Sequence, residues 1–418
     1  MSLQSFHAKP IRALHDLGRQ VLPLCLVIFL VDTVSGIYVA SFAVYARSAG
    51  MSLVTIGVLN TIVGILKLGV TMPLGMLSDR IGRPGIIMTG SAAFMLGLLT
   101  VALSKSTPAL VLSLVLNGLA GIAVFQIGHA HLGDLTTPEQ RPLAFGLLTT
   151  SMGLGFSLGP FIGGLITDRF SYTTAYFFGA ATGLVGLLVA LLHLRQESPT
   201  RKQPAKGGLL SGFKLMLGHA NLRLVTYGNL LVGLSFGGTL STFLPLYGHE
   251  LLLTQAAIGT MFAVRAGVSA AGRIANSMLA KKVGNLVVMV AGLIVIDLAI
   301  FGVGLTTSPV AITVFLGLEG LAYGGFMVAG LTYVSNHTTA ENRGGAGGVY
   351  SMAAGIGASF APWILGVVAQ QWGIRSVFFV TGSAMAVGVL VFVAGALSLQ
   401  SAPSTTSAPA PESLQERS

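Results

Sequence analysis

Twelve apolar runs follow one another through this chain, each of about twenty residues or more and so long enough to cross a bilayer as a helix. They fall near 21–46, 52–77, 85–104, 108–132, 142–167 and 173–194, then 222–248, 255–280, 285–305, 309–335, 344–369 and 374–398. Charged residues make up 9% of the chain, against roughly 25% in a soluble domain, so a water-facing surface cannot be covered. The unbroken runs exclude the alternating strands of a barrel. Helices remain, because they satisfy every backbone group within the segment. The expected fold is all-α and integral to the membrane, with the lipid bilayer as its surroundings.

The net charge of +10 is explained by topology rather than by nucleic acid. Loop assignment places Lys9, Arg12, Arg19, Arg80, Arg83, Arg141, Arg195, Arg201, Lys202, Lys206, Lys214, Arg223, Arg273, Lys281, Lys282, Arg343 and Arg417 on one side. Arg47, Lys105, Arg169 and Arg375 fall on the other, while Lys67 and Arg265 lie within spans. This bias predicts that both termini are cytoplasmic in a multi-pass protein of the cell's inner membrane. The single cysteine, Cys25, excludes an intramolecular disulfide. The N-terminal segment lacks a short apolar stretch followed by a small-residue cleavage site, and reads as a tail rather than a signal.

A repeat organises the spans. Gly146, Gly155, Pro160 and Gly164 are answered by Gly348, Gly357, Pro362 and Gly366; 348−146, 357−155, 362−160 and 366−164 are each 202. Gly159 and Gly163 of the first copy become Ala361 and Leu365. Thr136, Thr137, Glu139 and Arg141 answer to Thr338, Thr339, Glu341 and Arg343 at the same offset, and Tyr45 to Tyr247. Two pseudo-symmetric six-helix bundles are expected at 21–194 and 222–399. A tail at 1–20, a basic linker at 195–221 and a Ser/Thr/Pro/Ala-rich disordered tail at 400–418 complete the division. Parallel halves of this kind place a small-molecule site near the midplane between them.

Residues 75–83 read G-M-L-S-D-R-I-G-R between the second and third helices. The run resembles the signature loop of the major facilitator superfamily, G-x-L-[SA]-D-R-x-G-R, at Gly75, Leu77, Asp79, Arg80, Gly82 and Arg83. The resemblance extends over essentially the whole chain. It implies a monomeric secondary transporter, not an enzyme, and a cytoplasmic gate in which Asp79 faces the N-terminus of the eleventh helix near Gly344 while Arg83 pairs with Asp134 and Arg141 stands nearby. The second half departs from the pattern at S-M-L-A-K-K-V-G-N (277–285), with Lys281 in place of Asp79. The run G-x8-G-x3-G-P-x2-G-G at Gly146, Gly155, Gly159, Pro160, Gly163 and Gly164 resembles the fifth-helix signature of the drug:proton antiporters of that superfamily, and this resemblance implies export. Glycines so spaced make a smooth face for a neighbouring helix, expected mainly against the second half. Asn117 and Ala120 depart from the Arg and Gln of the fourth-helix motif in proton-coupled members, which leaves that helix's part in proton transfer open.

Ionisable groups within spans are functional candidates, because each costs about 2.5–3.5 kcal/mol or more near the bilayer centre. Asp32 and Lys67 lie at similar depths, as do Arg265 and Glu319, so two ion pairs are expected. In the resembled fold, helices one, four, seven and ten line the cavity. Asp32 is then the expected proton carrier and Glu319 a second carrier or cation site, with structural ion pairs as the competing account. Tyr38, Phe42, Asn117, Phe125, Gln126, Tyr227, Phe236, Phe243, Tyr323 and Phe326 are the expected cavity residues. His129 and His131 are either interfacial or a proton relay, and Asp297 is peripheral. No cofactor is implied: the chain has no P-loop and no metal-ligand cluster at recognised spacing. The expected function is proton-coupled export of hydrophobic or amphipathic small molecules. Proton-linked uptake, lipid or metabolite transport, and a non-transporting sensor stand as alternatives.

Overall fold

The computed structural model describes residues 4–137, 139–194, 209–339 and 342–401. The first half contains α1 (Gln4–Ser48), α2 (Leu53–Ile81), α3 (Arg83–Leu103), α4 (Thr107–Leu135), α5 (Arg141–Arg169) and α6 (Tyr172–His193). After a short helix at Leu209–Gly218, the second half contains α7 (Ala220–Glu250), α8 (Gln255–Val283), α9 (Asn285–Leu305), α10 (Pro309–Asn336), α11 (Arg343–Trp372) and α12 (Ile374–Ser401). Eleven of these are long and apolar enough to cross a membrane. The exception, α8, has the length (29 residues) but carries Arg265, Arg273, Lys281 and Lys282. Residues 195–208 of the expected linker and 402–418 of the expected tail lie outside the described residues.

Local chemistry sets the helix ends. Ser52, Ser171, Thr254 and Ser308 each accept a bond from the backbone N–H three residues on, at the starts of α2, α6, α8 and α10. Proline in the first turn of α3, α4, α5 and α10 removes a donor that would have had no intrahelical partner. Gly82 and Gly284, 202 residues apart, take φ of 96° and 91° and form the one-residue breaks α2–α3 and α8–α9. The run 75–83 is therefore not a loop, as expected from its charge. Residues 75–81 are the last turns of α2, and Arg83 opens α3. At the other end, α1 begins at Gln4 rather than near 21.

Among the described residues, two helices contain π-helical segments, Ile122–Gln126 in α4 and Leu234–Leu240 in α7. Such segments re-aim side chains and concentrate at functional sites. Within the first half, α1 packs on α5 and α6, and α3 on α4 and α6; within the second, α8 and α9 pack on α10, α12 on α9, and α7 on α11. The halves meet chiefly along two seams, α5 against α8 and α2 against α11, and α1 also touches the end of α7 at Ser241–Glu250. Because the helices run alternately, Arg80, Arg83, Arg141, Lys281, Lys282 and Arg343 gather at one end of the bundle, here called the basic end. Arg47, Lys105, Arg169 and Arg375 mark the opposite end.

Candidate functional site

Asp32 lies mid-way along the apolar part of α1 and is 6% exposed. Among the described residues it has neither an ion-pair nor a hydrogen-bond partner. The fifth-helix glycines bring a neighbouring backbone against it: a Cβ on Gly155 would stand 2.5 Å from the Phe29 carbonyl oxygen and 3.1 Å from Asp32 Cβ. Gly159 and Gly163 seat the next two turns of α1, at Thr33 and Ile37. The glycine face is therefore turned mainly to α1 in its own half, not to the second half as expected. Gly164 is the member that seats α8, and Gly146 faces open space.

The expected Asp32–Lys67 pair is not formed. Lys67 is exposed, with its stem against Gly118 of α4. Equal depth was a poor guide here because α1 packs on α5 and α6, whereas α2 packs on α4 and α11. The first half thus holds two unpaired opposite charges at the level of the spans.

The second half holds a closed pair. Arg265 Nη2 donates to Glu319 Oε1 at 2.9 Å, and Nε lies 2.5 Å from Oε2 as a charge contact without hydrogen-bond alignment. Ser235 Oγ, within the π-helical segment of α7, donates to the same Oε1 at 3.2 Å. The guanidinium carbon lies 3.8 Å from the ring centroid of Phe236 and 4.9 Å from that of Tyr323. Phe156 of α5 packs edge-on to Phe236 at 6.1 Å, so the cluster reaches across to the first half. Arg265 and Glu319 are 4% and 0% exposed. A cation in this setting is held by charge, by aromatic faces and by exclusion of water.

The expected cavity residues divide. Phe125, Gln126, Tyr227, Phe236 and Tyr323 keep accessible surface, whereas Tyr38, Phe42, Asn117, Phe243 and Phe326 are buried. Tyr38 stacks on Phe42 at 4.6 Å, and Asn117 Nδ2 donates to Ser113 O at 2.9 Å while its side chain packs on Gly97 of α3. These side chains fill the interfaces within each half. Phe156 and Ser235 were not singled out from the sequence. Phe156 adjoins a motif glycine, which is a usable signal; Ser235 owes its aim to the π-helical segment, which has none.

The two seams share the 202-residue repeat in their closest backbone contacts. A Cβ on Gly57 would collide with Pro362 O, and one on Gly259 with Pro160 O. Ser157 Oγ donates to Ala263 O at 3.0 Å in one seam, and Trp363 N donates to Thr61 Oγ1 at 3.1 Å in the other. These tight contacts reach inward to Gly64 against Ser359 and Gly153 against Ala270. Beyond them, Gly69, Gly75, Gly146, Gly344, Gly347 and Gly348 have no neighbour within 4 Å of a Cβ position. The halves are closed at the opposite end and part toward the basic end.

At the basic end, Arg83 Nε contacts Asp134 Oδ2 at 2.7 Å and Arg83 Nη2 contacts Asp79 Oδ1 at 3.4 Å. The Asp79 side chain is 66% exposed and has not closed on α11, whose first glycine, Gly344, lies in open space. Arg80 is exposed, and Arg141 Nη2 donates to Gly133 O at 3.3 Å. His131 is buried, and His129 Nδ1 lies 2.6 Å from Phe125 O. In the turn between α4 and α5, the Glu139 carboxyl is held below the usual carboxylate range by its own backbone N–H and by Thr137.

The bundle is thus duplicated, with its halves in close contact at one end and apart at the other, and the comparisons identify its family. The family model of the Major Facilitator Superfamily matches residues 24–317 and 238–417. Multidrug resistance protein 1 of Bacillus subtilis (strain 168) is 26% identical over 349 residues, covering 81% of this chain and 86% of that protein. The inner membrane transport protein YajR of Escherichia coli (strain K12) is 28% identical over 200 residues, covering 48% and 43%. In fold, the nucleoside transporter NupG, in a mutant form, matches with a TM-score of 0.77 at 16% identity, covering 90% of this chain and 99% of that one. A bacterial homologue of the human lysosomal transporter Spinster, in an inward-facing and unoccupied conformation, matches with 0.75 at 15% identity, covering 92% and 98%. With its sequence matched over nearly its full length and its fold shared with solved transporters, this chain belongs to the major facilitator superfamily of membrane transporters.

Proposed function

We propose that this transporter works by alternating access as a proton-coupled antiporter, exporting hydrophobic or amphipathic small molecules, with Asp32 as the proton carrier. The observation that carries the reading is Asp32 itself, buried at mid-span with no counter-charge. A carboxylate in that place carries a desolvation penalty that protonation removes. A substrate or water reaching it from an open side restores the charged form, so proton and substrate compete for one group. The Arg265–Glu319 pair, by contrast, has its charges matched, and we assign it to shaping the aromatic wall formed by Phe156, Phe236 and Tyr323.

Two further supports bear on direction and orientation. The fifth-helix glycine motif resembles that of exporters, and the Bacillus subtilis relative is named a multidrug resistance protein. The Lys/Arg bias supports an orientation in which the basic end and both termini are cytoplasmic, and we take the protein to act as a monomer in the inner membrane. The site is then open to the cytoplasm in this conformation, as substrate loading for export requires.

The test is reconstitution in liposomes with an imposed proton gradient and a screen of cationic, neutral and anionic amphiphiles in each direction. Movement of a compound against proton flow supports the reading. Uptake in the direction of proton entry would replace it with symport, and movement of nothing under any gradient would favour a sensor.

A further inference from the structure

The helices α2 and α5 end alike. Gly75-x3-Asp79-Arg80 closes α2 at the basic end, and Gly164-x3-Asp168-Arg169 closes α5 at the opposite end; 164−75, 168−79 and 169−80 are each 89. The first of these carboxylates is exposed in this conformation. The second is engaged across the two halves. Asp168 Oδ1 accepts from Gln255 N at 2.8 Å, and Oδ2 accepts from Ala256 N at 2.8 Å. These are the first two backbone donors of α8, and Thr254 Oγ1 takes the next, from Ala257. A helix N-terminus leaves such donors without intrahelical partners and carries a partial positive charge, so a carboxylate there gains both bonds and field.

The contact is braced on both sides. Gln255 Nε2 donates to Ala40 O of α1 at 2.6 Å, and Tyr172 Oη of α6 donates to Gln255 Oε1 at 3.1 Å. Gly164 makes the approach possible, since a Cβ there would stand 2.5 Å from Gln255 O. One carboxylate therefore joins α5 of the first half to α8 of the second, and Gln255 returns that hold to α1 and α6. The repeat supplies a weaker counterpart in the other seam. Gln370, at 168+202, accepts from Leu53 N, at 255−202, through Oε1 at 3.3 Å. At this position that seam has one bond to a neutral amide oxygen where this one has two bonds to a carboxylate.

We propose that Asp168 is a positioning residue of the transport cycle: seated on the α8 N-terminus, it holds the end opposite the basic loops closed, and its release lets that end open. It is the counterpart of Asp79, so the cycle exchanges one carboxylate-on-helix contact for another at the far end of the bundle. The inference rests on the alternating-access reading.

The test is distance measurement by pulsed electron resonance on full-length protein in lipid, in a Cys25→Ser background. One spin-label pair, Ser106→Cys with Thr307→Cys, reports the opposite end across the halves; a second, Glu139→Cys with His337→Cys, reports the basic end. In Asp168→Ala the opposite-end pair is expected to shift to a longer population and the basic-end pair to a shorter one. Asp168→Asn, which keeps one acceptor as Gln370 does, is expected to shift less, and it carries the test if the alanine variant does not fold. Wild-type distributions in both Asp168 variants, with Asp79→Asn or a transported compound still shifting either pair, would overturn the proposal while leaving alternating access intact. If neither Asp79→Asn nor any transported compound moves either pair, alternating access fails and the proposal with it.

Discussion

Gly155 of α5 lies directly against the turn of α1 that carries Asp32, close enough that a methyl group would stand 3.1 Å from Asp32 Cβ and 2.5 Å from the Phe29 carbonyl oxygen. The glycine motif and the buried carboxyl are thus parts of one interface. Backbone on the far side cannot give way as a flexible side chain would, so Gly155→Ala is expected to cost about 1–3 kcal/mol by overpacking. Thermal unfolding in detergent would show the drop. Gly146→Ala, at a motif position with open space, is the matched control and is expected to leave stability near wild type.

Asp32→Asn should behave differently from any other loss of a buried charge. No ion pair is broken, and a desolvation penalty is relieved, so the melting temperature is expected to stay the same or rise. A marked fall would indicate a partner for Asp32 that the geometry does not show.

The Arg265–Glu319 pair carries the opposite expectation. Glu319→Ala leaves a buried guanidinium without its counter-charge and is expected to cost about 3–5 kcal/mol. Replacing both partners with apolar residues, Arg265→Met with Glu319→Leu, should recover much of that loss, leaving the altered packing against Phe236 and Tyr323 and the lost acceptor of Ser235 Oγ. Unfolding curves for the two variants, compared side by side, check this.

The basic end is expected to separate stability from activity. Arg83 and Asp134 are partly exposed, so Arg83→Ala should cost less than about 1 kcal/mol. If the contact belongs to the cytoplasmic gate, transport by the same variant falls well below wild type. Parallel unfolding and liposome transport measurements on one preparation distinguish the two effects.

The helices and their approximate ends were legible because bilayer thickness and loop charge impose them on the sequence, and the 202-residue repeat because the two copies keep the same residues at one offset. Depth along a helix was legible too, and it paired Arg265 with Glu319. It failed for Asp32 and Lys67 because depth says nothing of azimuth: two side chains at one height meet only if their helices share a face. The motif at 75–83 read as a loop because its charges are those of a loop, yet a helix can run on into water until Gly82 ends it. The aim of Ser235 and Phe236 depends on a π-helical segment in α7 that no pattern of residue types announces. The seam at Asp168 escaped because a single acidic residue at a helix end is ordinary; its partners, Gln255 and Ala256, lie 87 and 88 positions away.

Asp32, as proposed, couples protons to substrate movement. The most direct test compares wild type and Asp32→Asn in liposomes, using one transported compound with and without a pH gradient. Wild type is expected to concentrate the compound against proton flow, while Asp32→Asn equilibrates it downhill and ignores the gradient. Gradient-driven accumulation by Asp32→Asn at the wild-type rate would contradict the claim.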